Sequence, residues 1–437
     1  MPSQLATLPL TPSEDLLVLP GPALLADVAS RRVSGGIGSG GDPSLRDHRA
    51  RWGEPTMLGL DALHALTDAA GVRGRGGAGF SFARKLATAA RHRSLGRAPF
   101  VVVNASEGEP ASAKDAALAR TSPHLVLDGA LIAARALGAR EIHVIVPGDR
   151  PRTRGLLLAA VAERTTDPAS SGVRWLTHTT QARFVAGQAR AVLELMAGRP
   201  GLPVTAWEPE AVRGHRGRAT LLSNAETWAH VGLLALEGLG RTLGRGTAAE
   251  PGTTLLTVHA PGRPVTVQEV EHGLPLGAVL PASARSGPIL LGGFHGTWAA
   301  GSDVVDLPIS AAAFRERRLA LGAGVVIAPG LGACAVAWTE RIVAHLASES
   351  AGRCGPCRNG LPALATAVAD LAAGRPGARA EVARLCGLVE GRGACAHPDG
   401  TSRLVASLLQ AFPEEVARHE AGRCGARQHL IESEAVR

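Results

Sequence analysis

The chain contains no tyrosine, and phenylalanine and tryptophan together supply only 3% of its residues. Its cores must therefore be packed with Leu, Val, Ala and Ile. Lysine is nearly absent too: of 46 basic residues, all but Lys85 and Lys114 are arginine. No apolar run reaches the ~18 residues that a transmembrane helix needs. The N-terminus lacks a basic stretch followed by an apolar core, so no signal peptide is expected. Six cysteines in 437 residues do not form the dense disulfide framework of a small secreted domain. A cytoplasmic protein is expected. Net charge is +8, but no nucleic-acid-binding motif accompanies it, so no nucleic-acid partner is expected.

What is present is glycine, 54 residues of it. Gly71–Phe80 reads Gly-Val-Arg-Gly-Arg-Gly-Gly-Ala-Gly-Phe, a stretch whose backbone can approach a ligand closely. Helical apolar spacing flanks it on both sides, over Leu58–Ala70 and Ser81–Ala90, with Ser81 as an N-cap. A glycine loop feeding a helix offers free N–H groups to an anion such as a phosphate. Gly74, Gly76 and Gly79 spell G-x-G-x-x-G, yet a helix rather than a strand precedes them, which weakens the dinucleotide reading. No Gly-Lys-Ser/Thr follows, which excludes a P-loop. Both lysines fall near this loop. Lys85 lies one turn into the following helix, and Lys114 follows Asn104, Ser106, Glu107 and Glu109 at the end of an apolar strand. A lysine kept against an arginine bias suggests a need for a compact point charge.

Strands are predicted at Phe100–Val103, Glu141–Val146 and Arg174–Thr179, alternating with helices at Pro123–Leu137, ended by Gly138, and Arg152–Glu163. That alternation implies a largely parallel sheet covered by helices. From Thr253 the character changes. Short strands at Thr254–His259 and Val265–Val270 flank a Pro261-Gly262 turn, and apolar pieces at Leu276–Leu280 and Ile289–Leu291 follow. Four helices close the chain: Val336–Leu346, Leu361–Ala373, Arg379–Glu390 and Thr401–Ala411.

Taken in order, several motifs resemble the flavin-binding subunit family of respiratory NADH:quinone oxidoreductase (complex I) and its relatives in NAD-linked hydrogenases and formate dehydrogenases. They are Gly74–Phe80 with Lys85, Asn104–Pro110 with Lys114-Asp115, Ser223-Asn-Ala-Glu-Thr227 and Glu349-Ser-Ala-Gly-Arg-Cys-Gly-Pro-Cys-Arg358. The resemblance implies a multidomain α/β protein. An irregular lead-in (1–56) precedes a Rossmann-like FMN domain (57–246), a β-grasp (SLBB-like) domain (250–328) and a helical iron–sulfur domain (333–437). It places Gly74, Gly76, Gly77, Ala78, Phe80 and Lys85 against the flavin. Asn104, Ser106 (Asp in the family) and Glu107 would meet the flavin's polar atoms, and Ser223 and Asn224 its phosphate or ribityl end. Gly187 belongs to the nicotinamide pocket, with Glu109 as the residue for chemistry. Cys354, Cys357 and Cys395 are the implied cluster ligands. The implied activity is that of an NADH dehydrogenase (quinone) type oxidoreductase. Its partner would be a ferredoxin-like or thioredoxin-fold iron–sulfur protein, within a membrane redox complex.

Two departures qualify that expectation. The family's nicotinamide turn carries two glutamates where this chain has Gln188 and Ala189. Its adenine-stacking phenylalanines fall on Thr88 and near Pro209, with only Phe80 kept and Trp207 nearby. Weak or absent NADH reduction is therefore expected, and a flavin subunit fed by a ferredoxin-like partner is the alternative. Ala351 replaces one of four cluster cysteines. Three thiolates could hold a 3Fe-4S cluster, or a 4Fe-4S cluster completed by Cys386, Cys424, His397 or water. Cys334 reads as core. Zinc on Cys354, Cys357, Cys395 and His397, or an empty turn in a redox-inactive scaffold, are the remaining readings.

Overall fold

The computed structural model describes residues 9–10, 14–26, 43–93 and 97–426; the glycine–serine run at 34–41 lies outside them. A four-stranded, wholly parallel sheet forms from β2 (Phe100–Asn104), β3 (Glu141–Val146), β4 (Arg174–Thr179) and β5 (Thr220–Asn224), in the order β4-β3-β2-β5. Phe100–Val103 is apolar throughout and buried on both faces, as a central parallel strand must be. Helices α2 (Leu60–Ala69), α3 (Phe82–Arg91), α5 (Pro123–Leu137) and α8 (Ala225–Glu237) enclose one core against Val101, Val103, Ile142 and Val144. On the opposite face α7 (Ala189–Met196) packs Val192 and Met196 against Val102 and Ile145. The neighbouring α4 (Lys114–Thr121) and α6 (Pro151–Thr166) complete this half.

Helices α5 and α8 touch backbone to backbone. A Cβ on Gly129 would lie 2.0 Å from the Trp228 carbonyl oxygen, and one on Gly232 would lie 2.2 Å from that of Leu125. Trp228 is fully buried; its indole N–H is shared between Val102 O and Ser223 O, at 3.0 and 3.1 Å. It pins α8 to the ends of β2 and β5.

A second sheet has six strands, ordered β1-β7-β6-β10-β8-β9. Its members are β1 (Leu17–Val18), β6 (Thr253–His259), β7 (Thr266–Glu271), β8 (Pro288–Leu291), β9 (Thr297–Ala300) and β10 (Val325–Ile327). The β6–β7 hairpin is antiparallel, and β10 runs parallel to β6 and antiparallel to β8. The apolar piece at Leu276 is a 3-10 turn, not a strand.

The expected irregular lead-in holds one short strand and one helix where described. Residues Leu17–Val18 add a parallel strand to β7, and α1 (Leu45–Trp52) is capped by Ser44. The Glu269 carboxylate accepts from the backbone N–H groups of Ala23, Leu24 and Leu25 and so ties this segment down.

The C-terminal part is helical: α9 (Ala335–Ser348), α10 (Leu361–Ala372), α11 (Ala378–Val389), α12 (His397–Ala411) and α13 (Pro413–Glu420). The last is one more than the four helices expected, because eight mostly charged residues carry little apolar periodicity. Among the described residues no helix is long and apolar enough to cross a membrane.

Candidate functional site

The chain leaves β2 towards β3 and β4 on one side, while β5 lies on the other. Ligands of open α/β sheets bind beyond the strand ends at such a divergence. Here Asn104 and Asn224 stand side by side as the last residues of β2 and β5. Asn224 Oδ1 accepts from Glu226 N at 3.0 Å to cap α8, and its Nδ2 donates to the Asp115 carboxylate at 2.9 Å. Asn104 Nδ2 donates to Gly187 O at 2.7 Å, and Asn104 Oδ1 accepts from Ser106 Oγ at 2.7 Å. Gly187 must lack a side chain, since a Cβ there would lie 2.9 Å from Ser106 Oγ.

The glycine loop arches over these strand ends. An Arg73–Ser81 bridge and a Gly74 N–H to Phe80 O bond of 2.8 Å close its base, and Ser81 caps α3 as expected. Gly76, Gly77 and Ala78 are exposed, and Gly77 has φ +109, a conformation open to glycine. From below, Arg75 N–H donates to Thr227 Oγ1, and the buried Lys114 ammonium reaches Arg75 O at 2.6 Å, Glu226 Oε2 at 2.7 Å and Asn224 Oδ1 at 3.2 Å. Burial opposes ionisation of Glu226, but Lys114 outweighs it and holds that carboxyl well below the usual range.

The facing wall comes from the six-stranded sheet. A Cβ on Gly77 would lie 3.9 Å from Gly322. Gly292 and Gly293, with φ +94 and +88, bring the turn after β8 against Glu109. The Glu109 carboxylate accepts from Phe294 N at 2.8 Å and Ala111 N at 3.2 Å. Burial pushes this carboxyl up to about 7. A Cβ on Gly293 would lie 2.6 Å from Glu109 Oε2. Sequence reasoning missed this wall; the adjacent Gly-Gly pair was the one signal that could have found it.

Two of the expected flavin contacts have side chains engaged elsewhere. The Glu107 carboxylate accepts from Asp115 N and Ala116 N at the start of α4, from Ser112 Oγ, and from the buried Arg150 at 2.7 Å. It shapes the turn that carries Ser106. Lys85 Nζ donates to Glu210 Oε1 at 2.8 Å and Leu222 O at 2.9 Å. That pair draws the loop bearing Trp207 to α3, the helix that follows Phe80. Trp207 and Phe80 are 94% and 48% exposed, and the Arg84 guanidinium lies over the Phe80 ring, 5.5 Å from its centre. Thr88 bonds back to Arg84 O on its own helix. Ser223 is buried.

Cys354 and Cys357 pair, with Cys395 close enough to act on both, but the three sulfurs do not all lie within 4.8 Å of one another. Cys357 lies in a π-turn, Pro356–Gly360, that leads into α10, and Cys395 precedes α12. Backbone N–H groups lie beside the sulfurs and favour their ionised forms: Ala394 and Cys357 beside Cys354, Gly352 beside Cys357, and His397 beside Cys395. Burial pushes the Cys357 thiol up to about 11 and the Cys395 thiol upward. The Cys354 thiol is shifted the other way: burial would raise it, but the N–H groups of Ala394 and Cys357 lower it. Three neighbouring cysteines with N–H groups beside them suit a thiolate-held cluster.

The alternatives for a fourth ligand are corrected by the structure. His397 uses both ring nitrogens, at 3.0 Å from His295 and 2.8 Å from Leu346 O, which also removes it from the zinc alternative. Cys386 is buried within the helical core. Cys424 joins Cys334 in a separate group. The cleft and the cysteine nest adjoin: the Gln188 side chain stands near Cys395, and Phe184 N–H donates to Glu349 at 3.1 Å. His295, next to the Glu109-bound Phe294, packs on Phe184 with ring centres 4.6 Å apart.

Residues 67–233 match the family model described as the Nuo51 FMN-binding domain, and residues 337–419 match that of the NADH-ubiquinone oxidoreductase-F iron-sulfur binding region. The chain is 28% identical over 401 residues to an F subunit of the NADH-quinone oxidoreductase of Rhizobium meliloti, covering 86% of this chain and 92% of that one. It is 28% identical over 396 residues to the NADH-quinone oxidoreductase F subunit of Mycobacterium bovis, covering 84% and 87%. Among solved structures it resembles an air-oxidized NAD+-reducing NiFe-hydrogenase, with a TM-score of 0.75 and 25% identity. That match covers 85% of this chain, which spans 65% of the hydrogenase chain's length. The chain is a divergent member of the flavin-subunit family of NADH:quinone oxidoreductase.

Proposed function

We propose that the chain is an FMN- and iron–sulfur-dependent electron-transfer subunit in an NADH-linked redox complex. One observation carries the reading: a glycine-lined cleft at a sheet divergence adjoins a three-cysteine nest through Gln188, Phe184 and His295. FMN, when bound, accepts a hydride or two electrons, and an iron–sulfur centre takes them singly. Backbone N–H groups of Gly76–Gly79 suit a phosphate or ring edge, and Asn104 and Asn224 frame the strand ends. Cys354, Cys357 and Cys395 would hold a cluster, with Ala351 leaving one position to solvent or another ligand. Glu109, titrating near neutrality, can hold or release a proton beside the cleft.

The domain boundaries 57–246, 250–328 and 333–437 belong to the same proposal. The middle one is supported by its strand order: a hairpin, β6–β7, with β10 inserted parallel beside β6. That is the arrangement of a β-grasp unit. The cytoplasmic side of a membrane complex and an iron–sulfur protein partner are proposed by likeness to the NADH-quinone oxidoreductase relatives.

Gln188, turned to Cys395 where the family has a glutamate, favours a second reading in which a reduced ferredoxin-like protein feeds the flavin. Anaerobic titration of the FMN-loaded protein separates the two. Bleaching at micromolar NADH supports NADH as donor. Bleaching by a reduced ferredoxin alone supports the second reading, and a wild-type protein that binds no FMN refutes both.

A further inference from the structure

Away from the cleft and the cysteine nest, four metal-binding side chains meet at the far end of the helical part. They are Cys334, Glu415, His419 and Cys424, whose ligand atoms all lie within 4.8 Å of one another. Cys334 is the N-cap of α9; Glu415 and His419 share one face of α13, and Cys424 follows that helix. Two segments 81 or more positions apart thus bring their donors together. Cys334 Sγ lies 3.2 Å from His419 Nε2 and 3.8 Å from Glu415 Oε1, and those last two atoms are 3.5 Å apart.

We propose that Cys334, Glu415, His419 and Cys424 form a structural zinc site, independent of the flavin and cluster reading. Tetrahedral zinc with bonds of about 2.0–2.3 Å requires ligand–ligand edges of roughly 3.3–3.8 Å. The sulfur–nitrogen and sulfur–oxygen edges of such a tetrahedron are roughly 3.5–3.6 Å and the nitrogen–oxygen edge about 3.3 Å, so the three edges given above lie within ~0.4 Å of it and small side-chain shifts would close the site. The surroundings match as well. His419 Nδ1 lies 3.0 Å from Ala372 O, which fixes the proton on Nδ1 and leaves the Nε2 lone pair facing the sulfurs. A backbone carbonyl holding the far nitrogen of a ligating imidazole is the usual outer partner of a metal-bound histidine. Glu415 Oε1 also accepts from Gly425 N at 2.9 Å, and Arg418 steadies its other oxygen at 3.2 Å. Cys334 and His419 are buried.

Burial pushes the Cys334 thiol up to about 12. On binding, two thiol protons leave to solvent, and two thiolates, one carboxylate and the imidazole lone pair bond Zn2+. The site carries one net negative charge, beside Arg418. No electron is transferred. Such a site would staple the segment after α13 to the start of α9, the helix that ends just before the cluster motif.

The test is metal analysis of the full-length protein, purified anaerobically and washed with chelator, with zinc and iron counted separately. One zinc per chain is expected. Zinc-edge absorption spectroscopy should find two sulfurs near ~2.3 Å and two lighter ligands near ~2.0–2.1 Å. Cys424→Ser and His419→Gln should each lower retained zinc about tenfold or more while iron stays unchanged; Cys354→Ser should do the reverse. If a variant fails to fold, the wild-type spectrum still decides. A shell of three or four sulfurs, zinc lost from Cys354→Ser but kept in Cys424→Ser, a Cys334–Cys424 disulfide in anaerobic protein, or no zinc after addition of one equivalent overturns the proposal.

Discussion

Replacing Lys114 with methionine tests how the glycine loop is held. The ammonium is 3% exposed and makes three bonds, to Arg75 O, Glu226 Oε2 and Asn224 Oδ1. Methionine keeps the stem volume and removes the charge. Removing one partner of a buried ion pair costs about 3–5 kcal/mol, because the other charge is left uncompensated. Glu226 retains Arg75 at 3.9 Å and His230 at 3.7 Å, so the low end, about 3 kcal/mol, is expected at pH 7. That is roughly a hundredfold in the folding equilibrium. Loss of the charge-assisted bond to the loop carbonyl, worth ~1.5–3 kcal/mol by itself, should also weaken FMN about tenfold.

Denaturant titration read by tryptophan fluorescence suits the measurement, since Trp228 is buried two residues from Glu226. The pH dependence carries a sign. Glu226 is held ionised in the fold, so the stability from its pair is present above the ordinary carboxylate pKa and lost as pH falls through the depressed one. The deficit of Lys114→Met should therefore shrink in acid. Adding Glu226→Gln to Lys114→Met should recover most of the loss, since neither buried charge then remains. A single-variant cost below ~1 kcal/mol at pH 7, or a double variant no better than the single, would refute the reasoning.

Gly77→Val should abolish FMN retention with helix content unchanged, because φ +109 excludes a branched residue; flavin absorbance and circular dichroism check it. Glu109 titrates near 7 in the fold against an ordinary value of 4.5, so the folded protein binds that proton more tightly and stability falls as pH rises between the two. Glu109→Gln should flatten that slope in melting curves. Asp115, raised to about 8 by burial and by Glu107, adds a slope of the same sign that remains. Cys354→Ser should prevent iron incorporation on anaerobic reconstitution, whereas Cys386→Ser should leave it intact, by colorimetric iron assay.

Much of this architecture was legible in the chain. The helix Pro123–Leu137 with its Gly138 stop and the strands Glu141–Val146 and Arg174–Thr179 stand where apolar spacing put them. Val325–Ile327 was not legible, because three apolar residues carry no period. Leu17–Val18 pairs only because β7 offers an edge. For the site, the motifs gave the right neighbourhood and not the division of labour. Asn104 and Glu107 are both polar residues after a strand, yet one joins the Gly187 turn and the other caps α4. Sequence spacing does not distinguish them, because the difference lies in which helix start is nearby in space. Cys334 read as core, and it is buried in the helical core; its grouping with Glu415, His419 and Cys424 was not legible, because those partners lie 81 to 90 positions away.

The crossing of α5 and α8 at Gly129 and Gly232 has a consequence for how this molecule can diversify. With two carbonyl oxygens where side chains would have to go, neither helix can slide, rotate or accept a bulkier residue. Asn224, at the head of α8, is thereby fixed to the end of β2. One wall of the cleft is frozen by its own scaffold. Change of electron donor over evolutionary time must then be written in the other boundaries: the 184–189 turn, the Trp207 loop and the Gly292–Gly293 bend. The first of these carries Gln188 and Ala189, and selection for a new donor should be sought there first.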